Sequence, residues 1–160
     1  MPRPRLLVLT STYPRCADDH EPAFVHELSR QLNDAFDVTV LAPHAPGAQT
    51  RESLDGVKIH RFHYAPSRFE RLVYDGGILA NLKRRRWSLL LLPLFLIALT
   101  WRTHRLIRTL RPHVVHAHWI IPQGLVMALL SSLDPRTPPY LLTSHGGDLY
   151  SLQHPWMVRL

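Results

Sequence analysis

Short apolar runs recur along the chain and alternate with segments of helical spacing. Arg5-Leu-Leu-Val-Leu-Thr10 reads as a buried strand. "DVTVLAP" (37–43) is a second strand, closed by proline, and "VKIHRFH" (57–63) alternates as a half-exposed strand should. "HVVHAHW" (113–119) and "YLLTS" (140–144) are further strands. "AFVHELSRQLN" places Phe24, Leu28 and Leu32 on one helical face; Asp19 or His20 is positioned to cap that helix, and Pro22 suits its first turn. "HAPGAQTRESLDG" reads as a loop. Trp87 to Arg111 is expected to be one long helix, with Pro93 as the place for a kink and Pro112 as its stop. "IPQGLVMALLSSL" opens another at Pro122, and "DLYSLQHPWMVRL" holds the start of one more. Strands alternating with helices imply parallel βαβ units, hence an α/β fold with a doubly wound parallel sheet.

In such sheets ligands bind outside the carboxyl ends of the strands. Four loops qualify: Ser11 to Pro22, the Asp75–Gly77 turn, His118 to Gly124, and Ser144 to Asp148. The last, "SHGGD", admits two readings. Its glycines can let backbone N–H groups approach an oxyanion at a helix start, with His145 and Asp148 as polar contacts. It can equally be a plain strand–helix turn capped by Asp148. In "HVVHAHW", His116 and His118 share one strand face and His113 lies on the other. The nearest acid after them is Asp134, so a metal site is not expected there.

Other chemistries are disfavoured by what is missing. No glycine precedes Gly47, so the first loop has no dinucleotide fingerprint. There is no phosphate-binding G-x-x-x-x-G-K-[ST] loop and no G-x-S-x-G elbow. The single cysteine, Cys16, permits no internal disulfide and fits a reducing compartment. The apolar start, Leu6 to Thr10, is too short for a secretion signal. The 46% hydrophobic and 19% charged composition of these 160 residues fits one folded domain.

The net charge of +7 is regional. Residues 68–111 hold ten Arg/Lys against two acids, +8, while the rest holds nine against ten, −1. Lys83, Arg84, Arg85 and Arg86 run into Trp87 and an apolar stretch. This segment suits contact with an anionic membrane surface through Lys83–Trp87. It equally suits a crossover helix packed on the sheet with a solvated basic flank. It carries no RNA-binding motif, and no nucleic-acid partner is expected.

Taken in order, "TYP" (12–14), "FVHELSRQL", "VTVLAP", "GVKIHRF", "RPHVVHAHW", "PQGL" and "TSHGGDLY" resemble the N-terminal domain of family 4 glycosyltransferases, and "YDGGILANL" resembles a segment of some bacterial members. The resemblance runs from Arg5 to about Tyr150. It implies the Rossmann-like N-terminal, acceptor-side half of a GT-B fold and a retaining transfer from a nucleotide sugar to a lipid-linked or saccharide acceptor, in cell-surface polysaccharide or glycolipid synthesis. It implies no metal and no cofactor beyond that co-substrate. His145 becomes the expected catalytic-site residue together with Asp148. Arg15, His20, Phe24, Gly76, Gly77, His118, Trp119, Gln123, Gly124, Gly146 and Gly147 become expected substrate contacts. A cytoplasmic protein, peripheral to the inner membrane, is the implied setting. Many members carry a Gly-Gly pair in the first loop, where this chain has "RCADDHEPAF"; Arg15, His20 or the helix start at Ala23 is expected to take its place. The donor-binding C-terminal domain is not within residues 1–160, so the chain by itself is expected to be inactive. That half is expected in cis or as a separate subunit. The alternatives are a non-catalytic sugar-, lipid- or partner-binding module and part of a GT-B-type sugar-nucleotide epimerase.

Overall fold

The computed structural model of the chain describes residues 2–16, 19, 23–74 and 76–146. Its strands are β1 (Arg5–Leu9), β2 (Asp37–Pro43), β3 (Arg51–Leu54), β4 (Val57–Phe62), β5 (Val114–His118) and β6 (Tyr140–Thr143). The helices are α1 (Phe24–Leu32), α2 (Gly77–Arg84), α3 (Leu91–Leu110) and α4 (Leu125–Leu133). The strands form one six-stranded sheet in the order β3-β4-β2-β1-β5-β6. All pairings are parallel except β3 with β4.

Side chains alternate across a strand, and β1 uses both faces. Leu7 and Leu9 point into a core shared with Phe95, Leu99, Ile107 and Met127 of α3 and α4. Leu6 and Val8 point into a second core with Val25 of α1, Val40 and Ile59. Strands buried on both faces need apolar residues at successive positions, which is why β1 and β2 are continuous apolar runs.

The loop expected at 44–56 contains β3. Asp55 (φ 49°) and Gly56 (φ 81°) both take positive φ and close a two-residue hairpin onto β4. Asp-Gly is the strongest short hairpin signal, and it lies in plain view before "VKIHRF". The long basic helix also differs from expectation. A 3₁₀ turn, Arg86–Leu90, precedes α3, and Pro93 falls in the first turn of α3. There a missing N–H costs nothing, because the first N–H groups of a helix have no internal partner. Pro93 therefore starts the helix and does not kink it. Asp19 does not cap α1. The cap position is Ala23, which makes no side-chain cap bond, and both Asp19 carboxylate oxygens bind the Arg15 guanidinium at 2.7 and 2.8 Å. His20, Pro22 and the helix start expected after Asp148 lie outside the described residues.

α3 has two unlike faces. Leu91, Phe95, Leu99 and Leu106 are buried against the sheet, and Phe95 packs on Phe62 and Tyr64 at 5.4 and 5.2 Å between ring centroids. Each such side chain is worth about 1.5–3 kcal/mol on burial. Leu90, Leu94, Ile97 and Trp101 are exposed on the opposite side. We predict that Phe95→Ala lowers stability by about 3–5 kcal/mol, whereas Ile97→Ala stays within about 0.5 kcal/mol. Urea unfolding midpoints of the two variants check this directly.

Candidate functional site

The strand order reverses at β1. From β1 the chain builds outward through β2 to β4, and then returns to place β5 on the other edge of β1. The loops leaving β1 and β5 therefore diverge and open a crevice at their carboxyl ends, the usual binding place in such sheets. Ser11 and Gln123 bridge the bottom of the crevice. Both are buried, and the Gln123 Nε2 donates to Ser11 Oγ at 2.8 Å.

The first loop is anchored. Tyr13 is fully buried, and its hydroxyl lies 2.8 Å from His26 Nδ1 on α1. Burial pushes the Tyr13 phenol well above its ordinary range, so it stays neutral. Arg61 on β4 is buried, holds the Pro14 carbonyl at 2.6 Å, and is neutralised by Glu52 at 2.6 Å. Tyr13-Pro14 is thus what fixes the loop to the sheet.

At the other side of the crevice stands a ladder of rings. His116 and His118 lie side by side on the α1 face of β5 with centroids 4.2 Å apart and their planes tilted by 31°. His116 Nε2 meets Thr143 Oγ1 at 2.7 Å, and His118 Nδ1 meets His145 Nε2 at 3.0 Å. The His118 and His145 rings are nearly parallel, 9° apart. Phe24 and Trp119 lie 4.7 and 4.8 Å from His145, centroid to centroid. Trp119 takes φ 72° to turn out of β5 toward this cluster.

His118 Nε2 is buried without a hydrogen-bond partner. A buried N–H without an acceptor costs the full desolvation of a donor, so we place the His118 proton on Nδ1, donating to His145 Nε2. His145 then carries its own proton on Nδ1. Burial first, then the nearby His116 and His145, push His118 down to about 3. His116 is lowered too, by burial and by His145. Both therefore act as neutral rings near pH 7.

Gly76 (φ 114°) and Gly77 (φ 84°) adopt backbone that side chains with a Cβ rarely take. With Ser11, Thr12, Trp119 and Ile121 they line a cavity of about 220 Å³. Three of the four loops selected from the sequence meet here, and the fourth reaches it through His145 against Trp119.

A glycosyl transferase 4-like domain matches residues 22–160. This chain belongs to that family. In solved structures, its fold is similar to sucrose-phosphate synthase from Thermosynechococcus elongatus, with TM-score 0.61 and 15% identity over 96% of this chain and 36% of that one. A second structure of that enzyme matches with TM-score 0.54 and 17% identity, over 94% of this chain and 67% of that one. The chain thus spans about a third of the first relative's length. No curated protein matches it. The architecture is mixed α/β with a six-stranded, mostly parallel sheet.

Within this glycosyl transferase 4-like domain, Phe24, His118, Trp119 and His145 are brought together, and Gly76 and Gly77 join Trp119. Gln123 and Gly124 are buried beneath them, where Gly124 leaves room for Leu142 of β6. Arg15 is engaged by Asp19 and stacks 5.5 Å from the Tyr74 ring. Gly146 is exposed at the tip. His20, Gly147 and Asp148 lie outside the described residues.

Several partners escaped the sequence reading. Ser11 and Thr143 support Gln123 and His116, and nothing in their local pattern marks them. Glu70 is buried, and its carboxylate binds His44 Nδ1 at 2.5 Å, His63 Nδ1 at 3.1 Å and the Tyr64 N–H at 3.1 Å. Among the described residues, His44, His63 and Glu70 form a group with donor atoms within 4.8 Å of one another. They can hold a cation only by giving up the hydrogen bonds that now satisfy them.

Because His118 is held far below its unfolded value of about 6.5, the unfolded chain takes up a proton that the folded chain refuses. Stability is therefore full above about pH 6.5 and falls as pH drops toward about 3. We predict that His118→Asn flattens this acid limb of the stability–pH curve. By NMR the His118 ring should show no titration above about pH 5; a midpoint near 6.5 overturns the assignment.

Proposed function

We propose that this domain is the acceptor-side wall of a retaining glycosyltransferase that moves a sugar from a nucleotide-sugar donor to a lipid-linked or saccharide acceptor. The observation that carries this reading is the cluster of His145, His118, Trp119 and Phe24 over the β1–β5 crevice. Aromatic faces offer apolar surface to the C–H faces of a sugar ring. His145, oriented by its contact with His118, is the polar ring at this wall suited to orienting a sugar.

In the reaction the bond from the anomeric carbon to the diphosphate breaks, and a bond to the acceptor oxygen forms on the same face. The acceptor proton leaves on the departing diphosphate. Charge develops on the sugar ring and on the leaving oxygens, and oriented N–H dipoles at those oxygens lower the barrier. The first turn of α2, from Gly77, has N–H groups without internal partners beside the cavity. In this reading His145 orients the donor sugar and is not an independent base.

The test joins this domain to a nucleotide-sugar-binding half, in cis or as a separate subunit, and assays a panel of nucleotide sugars with lipid and saccharide acceptors. His145→Ala should cut kcat by about a hundredfold or more while leaving the fold intact by NMR. Phe24→Ala should chiefly raise KM for the acceptor. Near-normal rates for both return the His145 tip to a plain turn. Conversion of the nucleotide sugar without any acceptor points to an epimerase instead.

A further inference from the structure

Trp87, Leu90, Leu94, Ile97, Trp101, Arg105 and Arg108 follow one another at intervals of three or four residues. That spacing keeps them on a single side of the Arg86–Leu90 turn and α3. All seven are exposed. The apolar members are exposed by 43% (Trp87), 74% (Leu90), 49% (Leu94), 67% (Ile97) and 54% (Trp101). A contiguous apolar stripe of this kind on a folded domain marks an interaction surface.

Its borders are basic and aromatic. The Arg102 and Arg105 guanidinium groups lie 5.0 and 5.5 Å from the Trp101 ring. At the other end Trp87 packs edge-on against Phe69 at 6.4 Å, with Arg68 4.8 Å from the Phe69 ring. Beside the stripe, between α3 and the β3–β4 edge, is a hollow of about 500 Å³ lined by Arg51, His60, Arg61, Arg102 and Arg105. Arg61 is neutralised by Glu52. Arg51, Arg102 and Arg105 give the hollow a positive field, and His60, pushed below its ordinary value by burial and then by Arg51, Arg102 and Lys58, stays neutral within it.

We propose that the outer face of α3 docks on an anionic membrane, the stripe from Trp87 to Trp101 entering the headgroup–acyl boundary and the Arg51–Arg102–Arg105 hollow receiving lipid phosphates. The inference stands independently of the glycosyl-transfer reading. Trp87–Leu110 is long and apolar enough to cross a bilayer, but its inner face, at Leu91, Phe95 and Leu99, is committed to the sheet. The helix therefore lies in the membrane plane, where an apolar face, flanking Trp and basic groups all contribute to binding. A second copy of the chain is a poorer occupant, since it would bring the same basic rim against this one. The surface is broader than the Lys83–Trp87 segment expected from the sequence, and its apolar part lies C-terminal to it.

Co-sedimentation of the whole chain with phosphatidylglycerol-containing vesicles and with pure phosphatidylcholine vesicles tests this. Binding should be at least about tenfold tighter to the anionic vesicles and should weaken with salt. Leu94→Glu with Ile97→Glu, both exposed and so compatible with folding, should weaken it at least about tenfold with an unchanged melting temperature. Arg102→Glu with Arg105→Glu should abolish the anionic preference. Absence of vesicle binding, or binding indifferent to the Leu94/Ile97 change, overturns the proposal. So does a self-association that the Leu94/Ile97 change dissolves in a chain that ignores vesicles.

Discussion

The backbone of β1 is shut away from water on both faces, so its N–H and C=O groups can be satisfied only by strands along both edges. β2 pairs on one side and β5 on the other, both parallel. Parallel neighbours cannot be joined by tight hairpins, so each return crosses a face of the sheet, and the faces become covered. That one requirement produces the two cores, places α3 and α1 on opposite sides, and gathers the loops after β1 and β5 at a single edge. The crevice is a consequence of the same pairing, because the strands on either side of β1 lead their loops apart.

Buried polar groups then turn this edge into a site. Each is held by a partner far away in sequence: Ser11 by Gln123, Tyr13 by His26, the Pro14 carbonyl by Arg61, His116 by Thr143. An unpaired buried polar atom costs about 1–3 kcal/mol, so these bonds hold the loops in place. His118 is the exception, with one ring nitrogen left without a partner. Its low affinity for protons and its bond to His145 follow from that burial. The ring it orients, His145, is half-buried between Phe24 and Trp119.

α3 shows how one helix serves two environments. Its inner stripe supplies much of one core and its outer stripe remains apolar, so the helix has little polar face until the arginines at 102, 105 and 108. The sequence alone allowed either a packed crossover or a membrane-facing segment. The structure buries one face of the helix against the sheet and leaves the other exposed, and the boundary at Trp101 is where apolar gives way to basic.

Much of the fold was legible because short apolar runs, prolines and helical spacing are local signals, and a parallel sheet needs them in order. β1, β2, β4, β5 and β6 stand within a residue or two of where their patterns place them. β3 escaped because "RESL" has no apolar alternation; only Asp55-Gly56 announced it. The long helix was expected from Trp87, whereas α3 starts at Leu91, and Pro93 could not be placed in its first turn until the preceding 3₁₀ turn was known. For the site, the amino-acid order determined which loops reach the carboxyl edge and which residue types they carry, including His145, Trp119 and the Gly76-Gly77 pair. Only the tertiary structure decided that Phe24, some 120 residues from His145, packs on its ring, that His118 is buried and neutral, and which side of α3 faces outward. Those are properties of distance and of exclusion from water, and they come into being only when separate segments are packed together.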